Sequence, residues 1–173
     1  MANTIAKNAI NRKWFMLCVF WNRHGVIYWE LLDMGQPMNS KRYQAQLTAV
    51  AELLNASPKN PIPFLQDNAP YHRARETVER ATELGFDILQ HPPYSPDLSP
   101  SDYHLFRSLS NQLRNRHFTS KEQIQEFIRR FFASKPATFY ARGIESLPVR
   151  WNRVVKNDGK YSFQLDWATY IVI

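Results

Sequence analysis

Two aspartates occupy positions where a carboxylate pair could hold a divalent cation. Asp67 follows the short apolar run Pro61-Ile-Pro-Phe-Leu-Gln66, in the loop that opens a helix. Asp102 follows a proline-rich loop and opens the next helix, with thirty-four residues between it and Asp67. In α/β proteins, sites form at the carboxyl ends of strands, beside helix starts. Carboxylate oxygens there suit Mg²⁺, a hard cation. Two such ions about 3.5–4 Å apart would activate an attacking water and stabilise a leaving 3′ oxygen. The same positions also suit aspartates that only cap helix N-termini. Residue type alone leaves both readings open.

The surrounding segments say what must carry these acids. Trp14–Phe20 and Val26–Leu32 are rich in β-branched and aromatic residues and flank a short Gly25-containing turn, which reads as a β-hairpin. Asn39 or Ser40 can cap a helix over about 41–55, with Tyr43, Leu47, Val50 and Leu54 at helical spacing. Ile62–Gln66 reads as a short buried strand, Ala69–Leu84 as a helix stopped by Gly85, and Phe86–Leu89 as another strand. Four prolines between Gln90 and Pro100 exclude regular structure there. Ser101 is expected to cap a helix from Asp102 to about Arg114, and Ser120 one from Lys121 to Ala133. Pro136–Arg153 reads as helical in pieces, and the run ending in Trp167-Ala-Thr-Tyr-Ile-Val-Ile173 as strand-like. A hairpin followed by alternating helices and strands predicts an α/β fold, a mixed β-sheet flanked by helices, in one domain spanning 1–173.

Composition narrows the class. Apolar residues make up 44% and charged residues 21%, ordinary for a globular chain. No apolar run reaches the roughly 20 residues of a membrane span, and residues 1–13 hold no apolar stretch of signal-peptide type. A soluble intracellular protein without membrane partners is expected. The single cysteine, Cys18, excludes an internal disulfide and reads as a buried small hydrophobe. The net charge of +7 is uneven. Residues 1–102 carry ten Lys and Arg against ten Asp and Glu, net zero. Residues 103–160 carry twelve against four, net +8. Such a basic half fits either a polyanion or water. Trp21, Tyr28 and Trp29 are expected to pack in the core and sheet, and His91 and His104 to make loop hydrogen bonds.

Longer motifs add a resemblance. Leu65-Gln-Asp-Asn-Ala-Pro-Tyr-His72 resembles the HDNAxxH segment of mariner-family transposases. His91-Pro-Pro-Tyr-Ser-Pro-Asp-Leu-Ser-Pro-Ser-Asp-Tyr-His-Leu-Phe106 resembles that family's HPPYSPDLAPSDYHLF. The interval between Asp67 and Asp102 is similar to that of the second and third acids in its D,D,34-D arrangement. Met16–Trp21 with Gly25–Tyr28 looks like its central hairpin, and Phe139–Ile144, Leu147-Pro148, Trp151 and Asp158–Tyr161 like its C-terminal end. The resemblance covers about residues 13–161. It implies a ribonuclease H-like fold, Mg²⁺- (or Mn²⁺-) dependent DNA cleavage and strand transfer, homodimers on paired transposon ends, and a nuclear location. It makes Asp67 and Asp102 metal-binding catalytic acids within bridging reach, and Asn68 and His72 their flanking residues. Gln66 departs from the family's usual histidine. Arg107, Arg114, Arg116 and the pair Arg129-Arg130 become candidates for a phosphate track.

Two family features are not found in the sequence: the helix-turn-helix units that read the inverted repeat, and the Gly-Asp-Glu-Lys-Trp context of the first acid. An N-terminally truncated core is therefore expected, its first, central strand missing or replaced. Ser162–Ile173 is apolar, aromatic and β-branched and is expected to supply that strand, in its own subunit or swapped, with Asp166 approaching the place of the lost acid. The function expected is a domesticated, catalytically impaired module that binds DNA without sequence preference in a salt-sensitive way, dimerises, or binds another protein. The alternative is a Mg²⁺-dependent endonuclease or strand transferase using Asp166.

Overall fold

The computed structural model describes residues 15–157. The hairpin forms as expected: β1 (Leu17–Asn22) pairs antiparallel with β2 (Gly25–Leu31), with a bulge between Phe20 and Trp21. Its two faces serve two cores, because side chains alternate along a strand. Leu17, Val19 and Trp21 pack against a cluster built from Leu31, Leu105, Leu109, Ile128, Phe131 and Tyr140. Phe20 packs on the opposite face with Tyr43, Leu47, Val50, Ala81 and Phe86.

After the hairpin, α1 (Ser40–Leu54) is capped by Asn39, whose side chain accepts from the Arg42 N–H. Strand β3 (Ile62–Leu65) pairs parallel with β4 (Phe86–Leu89), joined through α2 (Pro70–Arg73) and α3 (Arg75–Glu83). Gly85 sits at φ +89°, and an added Cβ would lie 2.4 Å from the Ser57 carbonyl carbon. Both conditions require glycine there. A single 3₁₀ turn (Pro96–Leu98) interrupts the proline-rich loop. A π-helical turn (Ser101–Phe106) leads into α4 (Arg107–Leu113), followed by α5 (Lys121–Ala133), α6 (Ala137–Glu145) and α7 (Leu147–Lys156). Ser120 caps α5 as expected, accepting from the Gln123 N–H. No helix among the described residues is long and apolar enough to cross a membrane.

The strands form two small sheets flanked by helices, β1–β2 and β3–β4, with no described strand joining them. Three expectations need correction. The helix expected over Ala69–Leu84 breaks at Ala74, which is extended at ψ 133°. Gln66 Nε2 donates to the carbonyl of His72, which takes that oxygen out of the helical ladder just before the break. Ser101 caps nothing. Its hydroxyl accepts from the Trp21 indole N–H at 3.0 Å, and the helix starts as a π-turn instead. Cys18 is half-buried rather than enclosed.

Relative strand direction follows from shared contacts. Glu30, near the end of β2, bonds Arg42 and Gln46 of α1. Tyr43, in the same turn of α1, donates to Gln66 just past the end of β3. Leu17 opens β1 opposite Leu31. The end of β3 is therefore level with the start of β1, and the two strands run antiparallel.

Candidate functional site

Asp67 and Asp102 line one cavity of about 590 Å³ lying between β1 and β3. Gln66, His72, His91, Ser99 and Ser101 line it too. Asp67 is positioned locally. The Ala69 N–H donates to its Oδ1 at 2.9 Å, and His72 Nδ1 lies 2.6 Å from the same oxygen. The hydrogen bond to His72 leads in holding the Asp67 carboxyl below its ordinary value, and burial opposes it.

Asp102 shows the opposite perturbation. Burial pushes its carboxyl up, and the charge of Asp67 adds to the rise, while a hydrogen bond from Ser99 opposes both. Two carboxylates thus feel each other in one cavity with divergent proton affinities, the pattern of a site arranged for a cation or for acid–base work. A π-turn adds a residue to the helical ladder and re-aims side chains, and such turns cluster at functional sites. Here it carries Asp102 on a segment tied down at both ends. Ser101 bonds Trp21, and His104 Nε2 lies 2.8 Å from the Phe139 carbonyl. Gly143 of α6 makes this fit possible, since an added Cβ would lie 2.7 Å from His104 and 2.9 Å from Trp21.

Flanking residues have visible roles. Asn68 Nδ2 donates to the His91 carbonyl at 2.7 Å, joining the loops that follow β3 and β4. Gln66 both accepts from Tyr43 Oη at 2.7 Å and donates to the His72 carbonyl at 3.3 Å, two roles that an amide fills at once. Burial pushes the Tyr43 phenol well above its ordinary value, so it stays a donor. His104 forms a hydrogen bond, but to the Phe139 carbonyl of α6 rather than within the loop as expected. His91 does more than expected: its ring lies near enough to both carboxylates to lower each one's proton affinity. Ser99 and the Trp21–Ser101 bond were missed in the sequence, because strand-to-helix contacts across 80 residues leave no local signal. Trp21, Tyr28 and Trp29 pack against Tyr140, Phe20 and Phe132, as core residues.

Asp67 and Asp102 suit Mg²⁺, which is held by one or two carboxylates and keeps several waters. Among the described residues no group of three or more His, Cys, Asp or Glu side chains could hold a metal. Asp166 lies outside the described residues.

Arg107, Arg114, Arg116, Arg129 and Arg130 are all exposed. Their surroundings differ. Arg116 lies 4.9 Å over the Phe127 ring and donates to the Gln112 carbonyl. Arg129 and Arg130 both pair with Glu126 on α5, which spends part of their charge within the helix.

Comparison with known proteins gives a consistent picture. The family model described as Transposase (partial DDE domain) matches residues 2–62. The mariner Mos1 transposase of Drosophila mauritiana is 42% identical over 167 residues, covering 92% of this chain and 48% of that protein. The histone-lysine N-methyltransferase SETMAR of Homo sapiens is 34% identical over 161 residues, covering 90% of this chain and 23% of that protein. This chain thus spans about half of the first relative and a quarter of the second. The solved Mos1 transposase catalytic domain with raltegravir and Mg is 43% identical at a TM-score of 0.83, covering 89% of this chain and 80% of that one.

Proposed function

This chain belongs to the mariner family of transposases and has the ribonuclease H-like fold of their catalytic domain, and on that footing we propose that it works as a transposase-derived DNA-binding and self-associating module. In this reading its two-carboxylate site holds a divalent cation but is impaired in cutting DNA. The observation that supports it most is the pairing of Asp67 and Asp102 in one cavity, with charge interaction between them. When bound, Mg²⁺ or Mn²⁺ would supply Lewis-acid stabilisation of charge on phosphate oxygens. The chain's own residues do the rest. His72 and the Ala69 N–H fix one Asp67 oxygen, and Ser99 and the π-turn fix Asp102. The exposed arginines meet phosphates without reading bases. The net +8 over residues 103–160 supports DNA as the polyanion. Homodimerisation, a nuclear location and association with another protein belong to the same reading.

A second reading follows from Asp166. If the C-terminal segment brings this residue to the other two, the chain is a Mg²⁺-dependent DNA endonuclease or strand transferase. One assay separates the two. Duplex and nicked DNA are incubated with the protein in Mg²⁺ or Mn²⁺, with Asp67→Ala as control, and binding and cleavage are read in parallel. Salt-sensitive binding with no cleavage above the control supports the first reading. Cleavage abolished by both Asp67→Ala and Asp166→Ala replaces it with the second. Absence of binding at low salt overturns both.

A further inference from the structure

The loop between α4 and α5 reads Arg114-Asn-Arg-His-Phe-Thr-Ser120. It holds no regular structure, and every residue of it except Phe118 is exposed. Arg114 leaves α4 with extended backbone at ψ 130°, and Asn115 turns the chain at φ +63°. Phe118 anchors the loop, its ring centroid 5.5 Å from that of Phe127. Ser120 then caps α5, accepting from the Gln123 N–H. Thr119 stands between anchor and cap. Its hydroxyl lies on the surface, where Oγ1 donates to Gln123 Oε1 at 3.1 Å. A neutral bond in that setting costs little to break, so the hydroxyl is available to react.

Two arginines precede this hydroxyl at fixed spacing, Arg116 by three residues and Arg114 by five. No other serine or threonine in the sequence has arginine at both distances. Kinases that act on basic substrates select them by such charge patterns, with carboxylates placed along the substrate cleft. A guanidinium meets a carboxylate through two parallel bonds, which fixes distance as well as sign. In an extended chain, residues two apart share a face, so both arginines can be read together. A loop can adopt that extension without unwinding a helix.

We propose that Thr119 is the acceptor for an arginine-directed serine/threonine kinase, and that its phosphate weakens DNA binding by the basic half of the chain. In the transfer, Thr119 Oγ1 attacks the γ-phosphorus of ATP and forms the new P–O bond. The bond from that phosphorus to the β–γ bridging oxygen breaks and ADP leaves. The hydroxyl proton passes to the kinase's base. The effect on DNA rests on the DNA-binding reading above, whereas the acceptor site stands without it.

The charge changes where DNA contacts are expected. A phosphate brings about −1.5 to −2 at neutral pH and three acceptor oxygens. The net charge over residues 103–160 then falls from +8 to roughly +6. Three residues span at most about 11 Å, so the phosphate can reach the Arg116 guanidinium. In the unmodified chain that group lies over the Phe127 ring, 4.9 Å from its centroid, and donates to the Gln112 carbonyl at 2.9 Å. A phosphate dianion is a stronger partner than either, because both sides of the bond are charged. It would occupy from within the protein a guanidinium that otherwise meets DNA.

The test uses the full chain, ATP and a purified kinase selective for arginines three and five residues before the acceptor. Phosphate uptake is read by intact mass and mapped by fragmentation. The expected result is one phosphate, on Thr119. Thr119→Val should take up none while binding DNA as the unmodified chain does, and Thr119→Ser should take it up again. Arg116→Ala should slow uptake about tenfold or more, the scale of one lost charge-assisted pair. Salt titrations on a duplex then compare modified and unmodified protein. The phosphate should lower the slope of log affinity against log salt by about 0.9–1.8, the loss of one or two contacts. Uptake that fails, or that maps to Ser120 or elsewhere, overturns Thr119 as the acceptor. Uptake on Thr119 with an unchanged slope overturns the effect on DNA. A chain that binds no DNA at low salt before modification removes the DNA-binding reading and that effect together, while uptake on Thr119 still decides the acceptor.

Discussion

His72 Nδ1 lies 2.6 Å from Asp67 Oδ1, so the more exposed of the two site carboxylates is held by a ring that is itself largely buried. Replacing His72 by alanine frees the Asp67 carboxylate and deprives it of its main partner. We expect weaker Mn²⁺ binding, by about 10–100-fold, the usual cost of losing a residue that orients a ligand. His72→Asn, which keeps a polar group near Asp67, should recover part of the loss. Titration calorimetry of the three proteins checks this, and equal affinities would contradict it.

Asp102 predicts a pH dependence of the opposite sign to Asp67. Burial raises its carboxyl above the ordinary value, so the folded state binds that proton more tightly than the unfolded state. Stability from this group is present at low pH and falls as pH rises from the ordinary aspartate value through the raised one. Asp67 behaves conversely: its lowered value gives stability that is lost only as pH falls through it. Asp102→Asn should therefore remove a decline in stability across the upper carboxylate range. At neutral pH it should stabilise the protein by about 0.5–2 kcal/mol, as relief of strain at functional sites commonly does. Denaturant melts at several pH values read both effects. Asp102→Asn should also abolish most of the metal binding that it leaves the fold better able to survive without.

The Trp21–Ser101 bond couples the hairpin to the turn carrying Asp102. Trp21→Phe keeps the ring but loses the donor, and should cost about 0.5–1.5 kcal/mol. Combined with Ser101→Ala the losses should be strongly non-additive, because either change alone breaks the same bond. A double-mutant cycle by urea denaturation measures the coupling. Additive losses would mean that the bond contributes nothing to the fold.

Gly143→Ala inserts a methyl between His104 and Trp21 and should destabilise by about 1–3 kcal/mol. A melting temperature unchanged within a degree would show that the two rings are free to move apart.

The basic half should bind DNA with a salt dependence set by the arginines that are not already paired. Each phosphate contact contributes about 0.9 to the slope of log affinity against log salt. Arg107→Ala and Arg114→Ala should each lower that slope by about one unit. Arg129→Ala and Arg130→Ala should have smaller effects, because Glu126 already pairs with both. Anisotropy titrations on two unrelated duplexes check slope and sequence preference together. A slope that none of the four substitutions alters would place DNA elsewhere on the surface.

Much of this was legible in the sequence, and the pattern of the misses is physical. The hairpin, α1, β3, β4 and α5 follow from alternation, helical spacing and capping residues, which are local properties. Asp67 and Asp102 share a cavity, as their motifs implied. The break at Ala74 was not legible, because it depends on the Gln66 side chain reaching the His72 carbonyl. The π-turn was not legible either, since Ser101 looks like a cap until Trp21, 80 residues away, claims its hydroxyl.

The two-faced hairpin also bears on how the chain folds. Its strands are joined by a two-residue turn, so it forms from local contacts, on a timescale of about 1–10 µs for such units. The helical cluster on the Val19 face and the α1–β3–β4 cluster on the Phe20 face are assembled from chain segments far apart in sequence, and both depend on this wall. Early formation of the hairpin would let each half condense on its own side of a shared template. Substitutions at Val19 and Phe20, adjacent in sequence but opposite in direction, should then slow folding together while leaving unfolding rates nearly unchanged.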